Sequence, residues 1–436
     1  MRTTTVRVVC ALAATLLAGA GAPAAHARAT AASGPASAPA SAPAFAATGG
    51  DLVRVSVSPD GEPADDWSEP LGLSADGRYA LFTSLASNLV PGDTNRRYDV
   101  FVRDLWTRHT ERVSLADDGA QLDGSTSQAA ISADGRYVAF SSDAVNAVPG
   151  NGGGRTDVYV RDRLTGRTEL VTAGAGAGNS VSPAISADGR FVAYSSDRAD
   201  LAPGAGAGTA NVYLTDRRTG GTRLVSTGQG GAPADGGSVE PSLSADGRTV
   251  AFRSKAANLL PAAPVARPAL KPPPARQLFP LYVYDARTGR IEGASVDASG
   301  TLRDAVRQSR LSPDGRFALF RVFQPDQGAT RVALLARDLR TGTVTEVAPA
   351  GTQPGVMTAD DRWVHFVSDD AGLVPGDTNG APDLFRRDLR TGQVERVAEG
   401  VGPSFAPAVD AFGTTLLFGA LNGTGSDVLV RYLPPR

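Results

Sequence analysis

At 436 residues the chain has the length of two or three domains, and a hydrophobic share of 42% supports a sizeable buried core. A formal net charge of −2 supplies no electrostatic footprint for nucleic acid or for an anionic membrane surface. Lys255 and Lys271 are the only lysines; the arginine-dominated remainder, with its abundant Ala, Gly and Pro, reads as codon bias rather than a binding patch.

The chain opens on a secretory pattern. Arg2 and Arg7 form a charged n-region, residues 8–20 an apolar h-region, and Ala25-His26-Ala27 a cleavage site, so residues 1–27 read as a signal peptide. The mature protein is therefore expected to be secreted or held in the cell envelope. Cys10 falls inside this signal, which leaves the mature chain without cysteine and its stability to packing rather than disulfides. No later run approaches the roughly 18 apolar residues of a membrane span. Residues 28–50 are almost wholly Ala, Ser, Pro, Gly and Thr and read as a disordered linker.

From there a phrase recurs: SADGRYALF from Ser74, SADGRYVAF from Ser132, SADGRFVAY from Ser186, SADGRTVAF from Ser244, SPDGRFALF from Ser312, TADDRWVHF from Thr358 and a decayed DAFGTTLLF from Asp410. A period near 50 residues with several short strands per unit predicts an all-β chain over residues 51–436: a single seven-bladed β-propeller of four-stranded antiparallel blades. The repeats overrule the multi-domain expectation from length. Six or eight blades would require one misread repeat. The second unit shows the meander plainly as SQAAIS, RYVAFSS, TDVYVRDR and TELVTA. Asp134-Gly135 and Thr165-Gly166 sit where tight hairpins need positive φ, as do Thr219-Gly220, Thr288-Gly289, Thr341-Gly342 and Thr391-Gly392. Each SADGR is thus turn chemistry. The aromatic residue ending each second strand (Phe82, Phe140, Tyr194, Phe252, Phe320, Phe366, Phe418) is expected in the core between blades.

The last unit ends on its third strand, SDVLVRYL, while the mature chain opens with LVRVSVSPDG from Leu52, a fourth-strand sequence. The N-terminal strand should therefore complete the last blade and remove its open sheet edge.

These residues resemble the TolB-type propeller repeat, whose blades carry a similar S-P-D-G-[KR]-x-[IL]-A-F phrase; SPDGRFALF from Ser312 is the nearest copy, and the likeness runs from Leu52 to Leu433. NLVPGDTN from Asn88 and GLVPGDTN from Gly372 share it. TolB looks like a six-bladed ring behind a small α/β domain, whereas this chain has a linker in that place and one extra unit. Prolyl-oligopeptidase-like enzymes also carry propellers, but with an α/β-hydrolase domain for which there is no room here. The resemblance implies a fold and not an activity, since propellers host unrelated functions.

Function is expected on the ring face formed by the 2-3 and inter-blade loops, which are long and variable, rather than on the face of tight 1-2 and 3-4 turns. On it, Asp93, Asn95 and Asp99, and likewise Asp377, Asn379 and Asp383, place oxygen donors at relative positions one, three and seven, a set that would suit calcium. Asx turns entering a strand explain the same letters. Asn151 with Asp157 and Asn422 with Asp427 are partial echoes. The Pro-rich insert at 261–280, with Arg267, Lys271 and Arg276, has the composition of a polyproline II segment able to dock a partner's aromatic groove, or of a tolerated surface excursion.

The third candidate is the axial channel. Two residues before each Ser stand Gly72, Ala130, Ala184, Ser242, Arg310, Val356 and Ala408, small for a crowded axis except Arg310. Four residues before lie Pro70, Gln128, Ser182, Glu240, Gln308, Pro354 and Ala406. Glu240, Gln308 and Arg310 are the candidates for an anion- or sugar-binding lip, with Arg310 reaching toward Glu240; a structural ion pair is the competing reading. For catalysis only His26, His109 and His365 exist, and no G-x-S-x-G elbow, His pair at metal spacing or cysteine nucleophile appears.

The sequence thus predicts an exported, monomeric, non-catalytic propeller that binds a protein, peptide or glycan through its variable loop face and requires no cofactor. The rival is a hydrolase or lyase using channel carboxylates such as Glu240, with calcium as an aid. A cell-envelope scaffold using the linker as a stalk is the third reading.

Overall fold

A computed structural model describes residues 52–434 apart from 127, 151–153, 207, 262–264, 267–278, 298–299, 327–328, 350–354, 379–380, 399–403 and 423–424. The expected signal peptide, the linker, Pro354 and the charged residues of the Pro-rich insert lie outside the described residues. Among those described, the only helical element is a short 3₁₀ turn at Gln229–Gly231, and no helix is long and apolar enough to cross a membrane.

Among the described residues the strands pair in seven antiparallel groups of four, and a two-residue strand at Val265–Ala266, inside the Pro-rich insert, adds a parallel pairing with Leu302 and Arg303. Blades 1 to 6 span residues 68–112, 128–170, 180–224, 238–293, 302–348 and 356–398. Blade 7 joins Ser404–Val409, Thr415–Leu421 and Ser426–Tyr432 to Leu52–Arg54, with Leu52 opposite Arg431, so the first strand does close the last blade. Blades 4 and 5 share a further pairing, Phe279 opposite Ala305, and run on as one sheet.

The repeated phrase builds each first hairpin from within. Ser132 Oγ donates to Asp134 Oδ1 at 2.6 Å, the amides of Arg136 and Tyr137 donate to Asp134 Oδ1 and Ser132 Oγ, and Gly135 takes φ 73°. A side chain at Gly135 would collide with the Tyr79 ring of the preceding blade. These turns also tie blade to blade: Ala75 N–H donates to Ala133 O, Ala133 to Ala187, Ala187 to Ala245, Ala245 to Pro313, Ala359 to Ala411 and Ala411 back to Ala75. The circle breaks between blades 5 and 6, because Pro313 has no N–H to give.

The aromatic closing each second strand is buried as expected; in blades 1, 2, 3, 4 and 6 it stacks on an aromatic of the third strand of its own blade, as Phe82 on Phe101 at 5.6 Å and Tyr194 on Tyr213 at 5.7 Å between centroids, and in blades 5 and 7 it faces Leu335 and Leu429. Apolar clusters then cross each seam, as where Phe252 meets Val212 and Leu214. Each such ring contributes about 1.5–3 kcal/mol of burial, which no blade could obtain alone.

Candidate functional site

On the variable face the loops are tied down by a repeated clasp. Asp65 N–H donates to Asn88 Oδ1 at 3.1 Å, Asn88 Nδ2 donates to Pro63 O, and Ser87 N–H donates to Asp65 Oδ1. Asp123 with Asn146, and Asp235 with Asn258, repeat these bonds in blades 2 and 4. Each clasp joins the inter-blade loop to the 2-3 loop. Sequence reasoning missed it, although its signal was present as an Asp and an Asn 23 residues apart in all three units.

The first predicted calcium set does assemble, around an arginine. Arg112 Nη1 lies 3.4 Å from Asp93 Oδ1 and 3.4 Å from Asp99 Oδ2. Asn95 turns its NH2, not its oxygen, to Asp99 Oδ2 and to Leu122 O, while Ser114 Oγ donates to Asp99 Oδ1 at 2.6 Å. Burial pushes the carboxyls of Asp93 and Asp99 up, against the pull of Arg112. In blade 6, Arg396 Nη1 lies 3.4 Å from Asp377 and 3.3 Å from Asp383; Asn379 lies outside the described residues. The echoes follow the same rule: Asp157 pairs with Arg155 and Arg198, and Asp427 with Arg54. A buried aspartate at the start of the third strand thus carries its own arginine, and these donors do not fit a calcium ion while a guanidinium stands between them. Neither EDTA nor added calcium should move the melting midpoint of the mature protein in a thermal scan; a calcium-dependent rise would restore the metal reading.

At the axis, the inner strands carry bulges that sequence did not foresee. Ser182, Glu240, Gln308 and Ala406 adopt φ of 56°, 55°, 67° and 48°, strained for residues with a side chain. The bulge lets one blade grip the next: Ser182 N–H donates to Gln128 Oε1, and Gln308 N–H to Glu240 Oε2 at 2.8 Å. Glu240 and Gln308 therefore meet as predicted, but the guanidinium groups on Glu240 are those of Arg253, at 3.1 Å, and Arg307, at 2.7 Å, rather than that of Arg310. The cause is the bulge between Val306 and Arg310, which resets the alternation of side chains and turns Arg307 toward blade 4. The Arg310 guanidinium makes no hydrogen bond or ion pair with a described residue, and burial lowers its pKa. Burial would raise Glu240, but Arg253, the Gln308 amide and Arg307 outweigh it and leave its carboxyl below the ordinary range.

His365 stands where other blades carry Ala or Leu. It is fully buried, neither ring nitrogen has a hydrogen-bond partner among the described residues, and burial, then Arg386, depresses its pKa to about 3. It is a seam residue, close to Gly413 of blade 7. Among the described residues no three His, Cys, Asp or Glu side chains gather as a metal site.

Solved structures share this fold. An oligogalacturonate lyase in complex with manganese matches with a TM-score of 0.56 at 15% identity, over 89% of this chain and 94% of the other. The fold is a β-propeller. The propeller domain of the trilobed protease from Pyrococcus furiosus matches at 0.51 and 11% identity, over 84% and 94%. TolB from Acinetobacter baumannii, the type that the repeat phrase resembles, matches at 0.41 and 15% identity, over 76% of this chain and 64% of its own. No family model and no curated protein matches the sequence. Identities this low speak for the propeller fold alone.

Proposed function

We propose that this chain is an exported, non-catalytic binding propeller whose 2-3 and inter-blade loops receive a protein, peptide or glycan. The observation that carries the reading is the Asp–Asn clasp repeated in blades 1, 2 and 4, which holds those loops before any partner arrives. Preorganised loops lose less entropy on binding, about 0.5–1.5 kcal/mol for each side chain already fixed. The acids an enzyme would use are engaged elsewhere: Asp99, Asp383 and Glu240 all sit in ion pairs with arginine.

The propeller lyase is the second reading, favoured by the likeness to oligogalacturonate lyase and by Glu240 at the axial register. One pair of assays separates them. On peptide and glycan arrays the mature chain should retain a defined ligand, weakened about tenfold by Asn88→Ala with Asn146→Ala and unaffected by Glu240→Gln. With oligogalacturonate, no unsaturated product should form by ultraviolet absorbance; product that disappears in Glu240→Gln would replace binding with catalysis.

A further inference from the structure

On the tight-turn face two seams share an arrangement that the seam between blades 4 and 5 lacks. Between blades 1 and 2 the ring of Tyr79 lies between two guanidinium groups, Arg78 at 4.8 Å and Arg163 at 4.3 Å from its centroid. Each guanidinium rests on a carboxylate, Arg78 on Asp104 of its own blade and Arg163 on Glu111 across the seam. The next seam repeats it, with Tyr137 between Arg136 and Arg217, which rest on Asp162 and Glu169.

Between blades 4 and 5 the carboxylates remain, but neither pairs with the guanidinium that its counterpart holds. The ring position is Thr249 and the cross-seam arginine is Leu339. Arg248, the arginine of the turn, is 72% exposed, with Asp246 at 3.6 Å as its acid. Asp285, the counterpart of Asp104, accepts the turn amides of Arg287 and Thr288, with the Thr288 hydroxyl and the Arg287 charge beside it, and makes no ion pair with a described residue. Glu292, the counterpart of Glu111, makes no ion pair with a described residue. In place of the sandwich is a cavity of about 360 Å³ lined by Thr249, Val283, Asp285, Glu292, Gly315 and Leu339, and also by the exposed Arg287, Thr288 and Arg290.

We propose that this seam is a recognition slot for an adjacent arginine and aromatic side chain of a partner polypeptide, the ring entering where Tyr79 and Tyr137 lie in their own seams and the guanidinium settling on Asp285 and Glu292. Two features select that chemistry. The seam retains two carboxylates that elsewhere in this ring bind guanidinium, a charge-assisted and often bidentate contact. It also sets the small Thr249 beside the glycine turn at Gly315, where the turns at Gly135 and Gly189 meet the rings of Tyr79 and Tyr137, and a guanidinium stacked on an entering ring adds a cation–π contact. The slot lies on the face opposite the clasped loops, so it is a second surface beyond the loop binding proposed above.

The test uses the mature chain and the capped dipeptide acetyl-Arg-Tyr-amide, read by saturation-transfer NMR. The expected result is transfer to the tyrosine ring protons with a dissociation constant on the order of 1 mM, at least tenfold weaker for acetyl-Gln-Tyr-amide and for the Asp285→Asn chain. Thr249→Tyr, which refills the slot from within, should abolish binding while keeping or raising the melting midpoint. Should that variant fail to fold, Leu339→Arg, which returns a guanidinium to Glu292, should compete with the dipeptide in the same way. No transfer to the wild-type chain at several times that concentration, or equal binding by Arg- and Gln-dipeptides, or undiminished binding by a folded Thr249→Tyr or Leu339→Arg chain, would overturn the slot. None of these results touches ligand capture by the loop face, which the arrays read separately.

Discussion

Arg112→Ala should destabilise the protein by about 3–5 kcal/mol, because it leaves two buried carboxylates without their cation. The Asp99 side chain is fully buried and that of Asp93 is 6% exposed, and Arg112 is the guanidinium that serves both. Hydrogen bonds from Ser114 and Gln121 remain after the substitution, but they satisfy oxygens without cancelling charge. Urea unfolding checks this, and adding Asp93→Asn and Asp99→Asn to the variant should recover part of the loss, since neutral amides no longer require a counter-charge. Arg396→Ala should behave alike through Asp377 and Asp383. An unchanged midpoint for both variants would mean that some other cation balances these loops.

The second large effect is a pair of opposed pH dependences, each hidden in the wild type by the other. Asp361 holds φ 57° where the other intact turns have glycine, and its carboxyl faces Asp314, Arg316 and Asp338 at the seam where Pro313 interrupts the amide circle. Burial first, then Asp314, raises its pKa from 3.8 to about 6, against the pull of Arg316. Between those values the folded chain keeps a proton that the unfolded chain releases, so this stability is full below 3.8 and is lost as pH rises through about 6. His365 works the other way. Its depressed pKa of about 3, against 6.5 when unfolded, means that the unfolded chain binds the extra proton, and stability is lost as pH falls below 6.5.

Each group contributes about 1.4 kcal/mol per pH unit inside its window, and the windows overlap from 3.8 to about 6. His365→Leu should therefore be more stable than the wild type at pH 5 and should lose stability as pH rises from 4 to 6. Asp361→Gly should show the reverse slope, and a denaturation series at half-unit pH steps reads both. A variant whose profile matches the wild type would show that its group keeps an ordinary pKa in the fold.

Much of the architecture was legible because its causes are local. The Ser-x-Asp-Gly-Arg turn is assembled from hydrogen bonds reaching no further than five residues, Ser132 to Asp134 and Tyr137 to Ser132, so seven copies in the sequence announce seven hairpins. The closing strand at Leu52 was equally plain, since it is a fourth strand without a blade of its own. The candidate sites were harder. Asp93, Asn95 and Asp99 lie together, and the cation between the two carboxylates is Arg112, thirteen residues beyond Asp99 on the neighbouring strand. Glu240 and Gln308 were grouped from the sequence, but not the arginines, Arg253 and Arg307, that pair with Glu240.

What the sequence by itself determined is therefore the repeat, its turns, the buried aromatic of each blade and the way the ring closes. Which guanidinium reaches which carboxylate was decided only by the tertiary structure. Glu240 and Gln308 lie 68 residues apart, and a bulge that reverses side-chain alternation selects Arg307 over Arg310. The open seam between blades 4 and 5 is of the same kind: Thr249 and Leu339 are unremarkable letters until the packing of two blades leaves Asp285 and Glu292 facing a space that two other seams fill. Turn chemistry acts over a few bonds and is written along the chain, whereas charge pairing acts through space between strands whose meeting depends on the whole ring.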